Sequence, residues 1–395
     1  MDIRNIQNMT EKKKYDVIKF NSIYDEPDFK IKRGKEWVDF GAKNDCPEYI
    51  LSLLDQSATH SGIIKGKIDF IIGNGLVVPT GNTKAEAFFA NVPSNETASV
   101  LMPTNLNVIM QKFVRDLVVF GAGAFNIRWR RDRKGISDIS YVDVVKYRVD
   151  SDNEGGWISD DWKQLRKEPF IPKFHPAFTL DKGVDGSQLF YVQEPSARNQ
   201  IYALPSYWSA REYIETDQEL ITFDLNRLRN QFFASTIISF PDTPTPEEQD
   251  RLYDQLKNFY GGTSNSGKAA ILFGVGENGM KFDKFEAARS PEDFELIQSN
   301  VDKKIKVAHR VTGRGEIFGL STGDGTTFGS KDDLKNEFEA FNKLVVRPTQ
   351  KFVCDVFNQI AAAGGVEWTF EFDPFVLFED DVQQNNSNTT DQNGV

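Results

Sequence analysis

NQFFASTIISFPDTPTPEEQDRLYDQLKNFYGGTSNSGKAAILFG, residues 230–274, is the stretch that decides the fold. Its β-branched and aromatic run at 235–240 predicts a strand. Thr245 and Pro246, followed by two glutamates, predict the start of a helix, because threonine caps helix ends and proline suits the first helical position. A Gly-Gly pair ends that helix, and KAAILFGV at 268–275 predicts a returning strand. The stretch is therefore a compact strand–helix–strand insert.

Long amphipathic helices are predicted on both sides of this insert. The first runs through residues 207–233, with its charged positions off the apolar stripe. The second covers residues 290–311 and starts with Ser290 as a cap and Pro291 at the first helical position. The apolar stripes are Ile214, Ile221, Leu225, Leu228 and Phe232 in the first helix and Phe294, Ile297, Val301, Ile305 and Ala308 in the second. The order describes two rods joined by a small module.

A glycine-rich loop and a third long helix follow the second rod. TGRGEIFGLSTGDGTTFGS, residues 312–330, contains six glycines and predicts a long irregular loop. Ser330 with Asp333 resembles a capping box and predicts the start of the last helix. Pro348 falls inside that helix and predicts a kink, because proline removes a backbone donor. The predicted buried stripe is Leu334, Phe338, Phe341, Val345, Phe352, Val356 and Ile360.

The first half of the chain predicts a unit of helices and antiparallel strands. Apolar residues recur at helical spacing in 49–76 and again in 104–120, and glycine ends each run. Alternating stretches at 124–131 and 136–150 predict strands. Near the C-terminus VEWTFEFDPF, residues 366–375, alternates in the same way and predicts a half-buried strand. These patterns predict an α/β or α+β unit with much antiparallel sheet.

Composition narrows the class of protein. At 395 residues and 39% hydrophobic, the chain can bury a sizeable core. Its net charge of −11 argues against a protein that grips duplex DNA over its whole surface. Cys46 and Cys354 lie far apart without metal-ligand spacing, so we expect no disulfide and a reducing compartment. No apolar run reaches the length of a membrane span and the N-terminus lacks a signal peptide, so we expect assembly in a cytosol and no membrane partner.

GTSNSGKA, residues 262–269, matches the spacing of a phosphate-binding loop. The match is incomplete, because Ala269 stands where a magnesium-binding Ser or Thr belongs. The context is also inverted, because a helix precedes the loop and a strand follows it. We therefore favour a plain turn and keep a nucleotidase that uses Lys268 as the alternative.

Basic residues cluster at the end of the second rod and just beyond it. Because the apolar stripe is packed, their charges must face solvent or a partner, and two interpretations stay open: a solvated helix face, or stacked positive rings if copies of the helix surround a hole. The three histidines show no metal-ligand pattern, and we expect neither a metal nor a cofactor. The basic residues are Lys303, Lys304, Lys306, His309, Arg310 and Arg314.

The succession of elements resembles portal proteins of tailed bacteriophages, of the shorter type near 400 residues. The resemblance covers roughly residues 45–373 and rests on order, spacing and composition. It is carried by DLVVFGAGAFNI before a sheet, by YALPSYWSAREYIETD at the start of the first rod, and by the strand–helix–strand insert. The fold it implies is α+β with an α/β wing, a two-helix stem, a clip and a long kinked helix beside a channel.

This resemblance implies a division of the chain into named parts. The implied parts are a wing (1–205), first stem helix (206–232), clip (233–288), second stem helix (289–312), tunnel loop (313–330), long kinked helix (331–365), returning wing strand (366–380) and disordered tail (381–395).

The resemblance also implies a non-enzymatic role. Such proteins form a ring, twelvefold in virions, at one capsid vertex, where double-stranded DNA is packaged and ejected through the centre without sequence readout. The implied partners are other copies of the chain, the terminase large subunit, the head–tail adaptor and the major capsid protein. Another virion structural protein remains an alternative.

Three sets of residues carry the expected contacts. The DNA-channel set is Lys303, Lys304, Lys306, Arg310 and Arg314. The tunnel-loop set is Leu320, Ser321, Thr322, Asp324, Thr326 and Thr327, and we expect this loop to project toward the axis. The clip-docking set is Glu247, Glu248, Arg251, Asp254 and Lys257.

Overall fold

Helices and strands come in groups along the chain in this computed structural model, with a run of helices first, a run of strands next, and long helices on both sides of a strand pair after that. It describes residues 27, 29–91, 105–166, 168, 170–179, 186–197, 201–230, 236–240, 245–251, 269–273, 291–320 and 330–375. The helices are α1 Cys46–Gln56, α2 Ala58–Ile72, α3 Thr83–Ala90, α4 Leu106–Phe120, α5 Arg211–Asn230, α6 Pro291–Ala308, α7 Lys331–Phe341 and α8 Arg347–Ala363. The strands are β1 Ala122–Trp129, β2 Ile136–Val142, β3 Tyr147–Val149, β4 Gly155–Ile158, β5 Lys173–Pro176, β6 Ser187–Gln193, β7 Thr236–Phe240 and β8 Ala269–Phe273.

Two small antiparallel sheets occupy the first half of the chain. One has the order β2-β1-β6 and the other the order β3-β4-β5. Helix α4 packs on β1 so closely that a Cβ at Gly123 would overlap the ring of Phe113. The mixture of helices and antiparallel strands confirms the predicted α+β class.

The insert between the two rods contains a parallel pair of strands. β7 and β8 pair in register from Thr236 opposite Ala269 to Phe240 opposite Phe273. A parallel pair needs a crossover connection, and residues 246–251 between the two strands are helical. Glu248 accepts hydrogen bonds at 3.0 Å from both the amide and the hydroxyl of Thr245, which confirms the predicted helix start. Residues 252–268, with most of the phosphate-loop match, lie outside the described residues.

Helices α5 and α6 pack as an antiparallel pair against the first half of the chain. Ile214 near the start of α5 is fully buried in one cluster with Val301 and Ile305 of α6. At the other end of the pair, the ring of Phe223 stacks on that of Phe294, with centroids 5.0 Å apart. The predicted stripe of α6 is therefore the packed side of this helix.

The stripe predicted for α5 is only partly packed. Ile214 has no exposed surface, whereas Ile221 and Leu225 are 40% and 43% exposed. The reason is that the first half of the chain covers only the start of α5. The remaining members, Leu228 and Phe232, lie outside the described side chains.

The last helix is confirmed, including its interruption. Ser330 and Asp333 form a capping box, each side chain bonding the other residue's amide at 3.2 Å. A π-helical segment, Asn342–Val346, separates α7 from α8 and places Pro348 in the first turn of α8. The hydroxyl of Thr349 donates to the carbonyl of Val345 at 2.9 Å, so a carbonyl of this interruption gains a donor.

Three local expectations need correction. Residues 49–76 form two helices rather than one, because Ser57 takes an extended conformation and its hydroxyl accepts the amide of His60. Helix α3 was not predicted. Residues 366–375 keep the alternating burial, with Phe370 fully buried, but they form no strand beyond a single bridge from Phe372 to Leu76.

None of the described helices is long and apolar enough to cross a lipid bilayer.

Candidate nucleic-acid interface

The basic residues at the end of α6 form the candidate interface. Lys303 and Lys304 are exposed within α6, Lys306 is half-buried, and Arg310 and Arg314 are exposed just beyond the helix. Arg314 approaches Glu316 at 3.9 Å. The other four make no ion pair with the described part of the chain, so their charges are available to an external anion. We call these five residues the basic end of α6.

The basic end is held in place by the buried side of α6. Val301 and Ile305 are almost completely buried on the side opposite Lys303. Arg310 then takes the left-handed conformation, with φ 57°, and the amide of Val311 reaches back to the carbonyl of Lys306 at 3.0 Å. Since this 6→1 bond is typical of a helix stop, the chain leaves α6 in a defined direction and positions Arg314.

A pair of buried histidines fixes the same end of α6 to α2. His60 Nδ1 and His309 Nε2 lie 2.8 Å apart, and both side chains are fully buried. The ring of Tyr207 lies against both of them, with centroids 4.6 Å from His60 and 5.1 Å from His309. The Tyr207 hydroxyl donates to the carbonyl of Val119 at 2.8 Å. Four parts of the chain therefore meet at one point: the residues just before α5, the end of α6, α2 and α4. We call this point the histidine junction.

Burial keeps the histidine junction neutral. Desolvation lowers the pKa of His60 to about 4 and holds the pKa of His309 well below its usual range, and the Lys67 ammonium acts in the same direction on both. Desolvation also lowers the pKa of Lys67 itself to about 8. A short contact between two imidazoles requires one ring to donate and the other to accept. The pair therefore needs at least one neutral ring.

The turn that follows α6 is anchored by a buried carboxylate. Glu337 of α7 accepts the amide of Gly315 at 2.8 Å, and the amides of Arg314 and Glu316 also point toward it. The hydroxyl of Thr312 donates to the carbonyl of Glu337 at 3.1 Å. Desolvation raises the pKa of Glu337, and the three amides act against that rise. Glu337 thus ties the start of the glycine-rich loop to α7.

The location of His309 is a correction to the sequence analysis. It was grouped with the solvent-facing charges, but it is fully buried. The signal was present, because His309 follows Ile305 and Val301 at intervals of four and therefore lies on the packed stripe. The contact with His60 had no sequence signal, since 249 positions separate the two residues.

The other predicted contact residues are only partly described. Leu320 is half-buried against the cluster that contains Val301 and Ile305, while the other five tunnel-loop residues lie outside the described residues. Of the clip-docking set, Glu247, Glu248 and Arg251 are exposed on the helical residues 246–251. Asp254 and Lys257 fall outside the described residues.

The described chemistry suits binding of a polyanion by charge. Within the described ranges, no group of three or more His, Cys, Asp or Glu side chains could hold a metal ion. Cys46 and Cys354 do not form a disulfide. The basic end of α6 presents flexible cationic side chains on a firmly packed helix, which is suited to phosphate contacts without base readout.

Comparison with solved structures identifies the fold. A chain in the virion of the native gene transfer agent particle aligns at 12% identity over 88% of this chain and 90% of that chain, with a TM-score of 0.53. A chain in the neck of the empty particle, computed with C6 symmetry, aligns at 12% identity over 88% and 90%, with a TM-score of 0.54. A chain in the neck of the native particle, computed with C12 symmetry, aligns at 13% identity over 87% and 89%, with a TM-score of 0.53.

An HK97-family phage portal protein from Corynebacterium diphtheriae also aligns, at 11% identity over 83% of this chain and 95% of that chain, with a TM-score of 0.47. No family model and no curated protein matches the chain. The portal-like fold predicted from the sequence is confirmed: over most of its length, this chain has the fold of a chain from the gene transfer agent neck.

Proposed function

We propose that this chain is a portal protein: a structural subunit that assembles into a ring at one vertex of a phage-like capsid. The observation that carries the proposal is the extent of the fold likeness, which spans 87–88% of this chain and 89–90% of neck chains, one of them in a particle computed with C12 symmetry. The proposed location is the virion, after assembly in the host cytosol.

The parts of the chain take the following roles in this proposal. The first half, with the two antiparallel sheets, is the wing that meets the major capsid protein. Helices α5 and α6 are the stem, and β7, residues 246–251 and β8 belong to the clip. The exposed residues Glu247, Glu248 and Arg251 of the clip meet the terminase during packaging and the head–tail adaptor afterwards.

Double-stranded DNA is the proposed cargo of the ring, and the basic end of α6 guides it. An acidic subunit with few basic positions suits a conduit, because strong neutralisation of many phosphates would hold the duplex tightly. The tunnel loop follows α6 in the sequence, and we assign to it the lining of the passage. The role is mechanical and needs no catalytic residue.

Electron microscopy of the purified chain tests the ring directly. We expect closed rings with a central hole, and native mass spectrometry should give one dominant subunit number, with twelve as the expected value from the resemblance. A protein that remains monomeric at every protein concentration tested would contradict the proposal.

The DNA role is tested on assembled rings. Replacing Lys306, Arg310 and Arg314 by glutamine should leave the rings intact and weaken their retention of linear duplex DNA. Each lost phosphate contact should lower the slope of log K against log salt by about 0.9. The matched control neutralises Lys84, Lys163 and Lys173, three exposed residues in the first half of the chain. An equal loss of retention in the control would contradict a local role for the basic end.

A further inference from the structure

The outer surface of α6 combines positive charge with exposed apolar side chains. Leu296 and Val307 are 61% and 72% exposed. Lys303 and Lys304 precede Val307 by four and three positions, so both lie beside it on the helix surface. The charged DNA backbone makes no favourable apolar contact with these two side chains, whereas a protein surface would bury them.

The outer surface of α5 has the opposite charge and also carries an exposed aromatic ring. Between residues 211 and 225, the exposed charged side chains are all acidic: Glu212, Glu219 and Asp224. Glu212 contacts Arg211 at 3.3 Å, while Glu219 makes no ion pair with the described residues. Phe223 follows Glu219 by four positions, so its ring lies beside this glutamate, and it is 45% exposed.

We propose that the outer surface of α6, centred on Lys303 and Lys304, binds the α5 surface around Glu212 and Glu219 of a second copy of this chain. This inference rests on the proposed ring and specifies one of its contacts. A closed ring requires two different, complementary surfaces on each subunit, because its interfaces are head-to-tail. The α5 and α6 surfaces satisfy that requirement in charge and in apolar content.

The heights of the charges along the stem agree with this pairing. Phe223 and Phe294 stack within one chain and mark a common level on the two antiparallel helices. At about 1.5 Å per residue, Lys303 lies about 14 Å along α6 from that level, while Glu219 and Glu212 lie about 6 Å and about 17 Å along α5. In a ring, adjacent subunits lie at the same level along the axis. Lys303 of one subunit therefore lies at a level between Glu219 and Glu212 of the adjacent subunit.

The pairing divides the basic end of α6 between two partners. Lys303 and Lys304 contact the adjacent subunit, and the DNA-facing role falls to Lys306, Arg310 and Arg314, which lie nearer to or beyond the end of the helix. The division separates residues needed for assembly from residues needed for DNA retention.

Charge reversal with complementation tests the interface. One variant carries Lys303→Glu and Lys304→Glu, and a second carries Glu212→Lys and Glu219→Lys. Each alone places like charges at every contact and should reduce the affinity between subunits by at least about ten-fold, seen as loss of rings in native mass spectrometry. An equimolar mixture of the two variants should restore rings with alternating subunits and an even subunit number. All four changes in one chain should also restore rings.

The controls separate this inference from the proposed ring itself. Lys84→Glu with Lys351→Glu makes the same change in net charge and should leave the rings intact. If wild type forms rings and both reversed variants form them equally well, or if mixing restores nothing, the assigned contact is wrong and the ring stands. Intact rings of the Lys303→Glu, Lys304→Glu variant that no longer retain DNA would assign these lysines to DNA instead. Absence of rings in wild type would overturn the proposed function.

Discussion

At the scale of single residues, the histidine junction makes the stability of the protein depend on pH. An unfolded histidine takes up a proton near pH 6.5, whereas His60 in the folded protein has a pKa of about 4. Between these values the unfolded chain binds more protons than the folded one, so stability is full above about pH 6.5 and falls as the pH drops toward about 4. For His60 alone the loss is at most about 3 kcal/mol.

We predict that the thermal midpoint falls between about pH 7 and about pH 5, and that replacing both His60 and His309 by leucine flattens this dependence. Differential scanning calorimetry of each protein at the two pH values measures the effect. His175→Asn is the matched control, because His175 is only half-buried and should leave most of the dependence in place. If the thermal midpoint of the leucine variant falls between the two pH values as much as that of the wild type, the histidine junction does not titrate.

Glu337 is the second residue whose effect can be predicted separately. Glu337→Ala leaves amides of the turn at 314–316 without their acceptor, and an unsatisfied buried donor costs about 1–3 kcal/mol. Glu337→Gln retains one oxygen and should cost less. Denaturant unfolding measures the loss, and hydrogen exchange should show faster exchange of the Gly315 amide. Glu339→Ala, at a half-buried position on the same helix, is expected to have little effect; equal losses in both would contradict the anchoring role.

At the scale of elements, the interruption between α7 and α8 explains why the last helix tolerates a proline. A proline inside a continuous helix costs about 3 kcal/mol, because it removes a hydrogen bond and clashes with the preceding turn. Here the π-helical segment ends at Val346 and Pro348 stands in the first turn of α8, where a missing amide is tolerated.

We therefore predict that Pro348→Ala changes the free energy of unfolding by less than about 1 kcal/mol, since the proline is not strained at this position. Gln359→Pro, at an exposed position in the middle of α8, should cost about 3 kcal/mol or more. Denaturant titration of the two variants gives both values. A gain of several kcal/mol from Pro348→Ala would mean that the proline itself causes the interruption.

At the scale of the whole molecule, exposed apolar side chains on the stem helices link folding to assembly. Phe223 on α5 and Leu296 and Val307 on α6 are exposed on the proposed interface. If the proposed ring buries them, the assembled state is stabilised by mass action over the unfolded chain. We predict that the thermal midpoint rises with protein concentration over a hundred-fold dilution series, and that the Lys303→Glu, Lys304→Glu variant loses this rise. A midpoint independent of concentration in wild type would argue against assembly through this surface.

Much of the architecture follows from local sequence patterns. The starts of the insert helix and of α7 were predicted from Thr245 and from Ser330 with Asp333, and the structure contains both hydrogen-bonded arrangements. The packed stripe of α6 and the antiparallel strands near Phe125 follow in the same way. Such features depend on contacts between near neighbours in the chain, and the periods of 3.6 and 2 residues express them directly.

The candidate interface was predictable only in part. Clustering identified Lys303, Lys304, Arg310 and Arg314 as exposed, but it also included His309, which packing buries. The apolar stripe of α5 was predicted from its spacing, and the structure leaves Ile221 and Leu225 of that stripe in solvent because the first half of the chain does not reach them. A periodic pattern shows that a surface is apolar, but what covers that surface depends on the rest of the fold.

The sequence by itself determined the order of most elements, the caps at Thr245 and Ser330 and the α+β class, because each of these depends on residues a few positions apart. Only the tertiary structure decided the histidine junction, the hydrogen bond from the Gly315 amide to Glu337 and the single bridge between Leu76 and Phe372. Those contacts join residues 22 to 296 positions apart. They form because the packing of α2, α6 and α7 brings specific atoms together, and a one-dimensional pattern does not contain that packing.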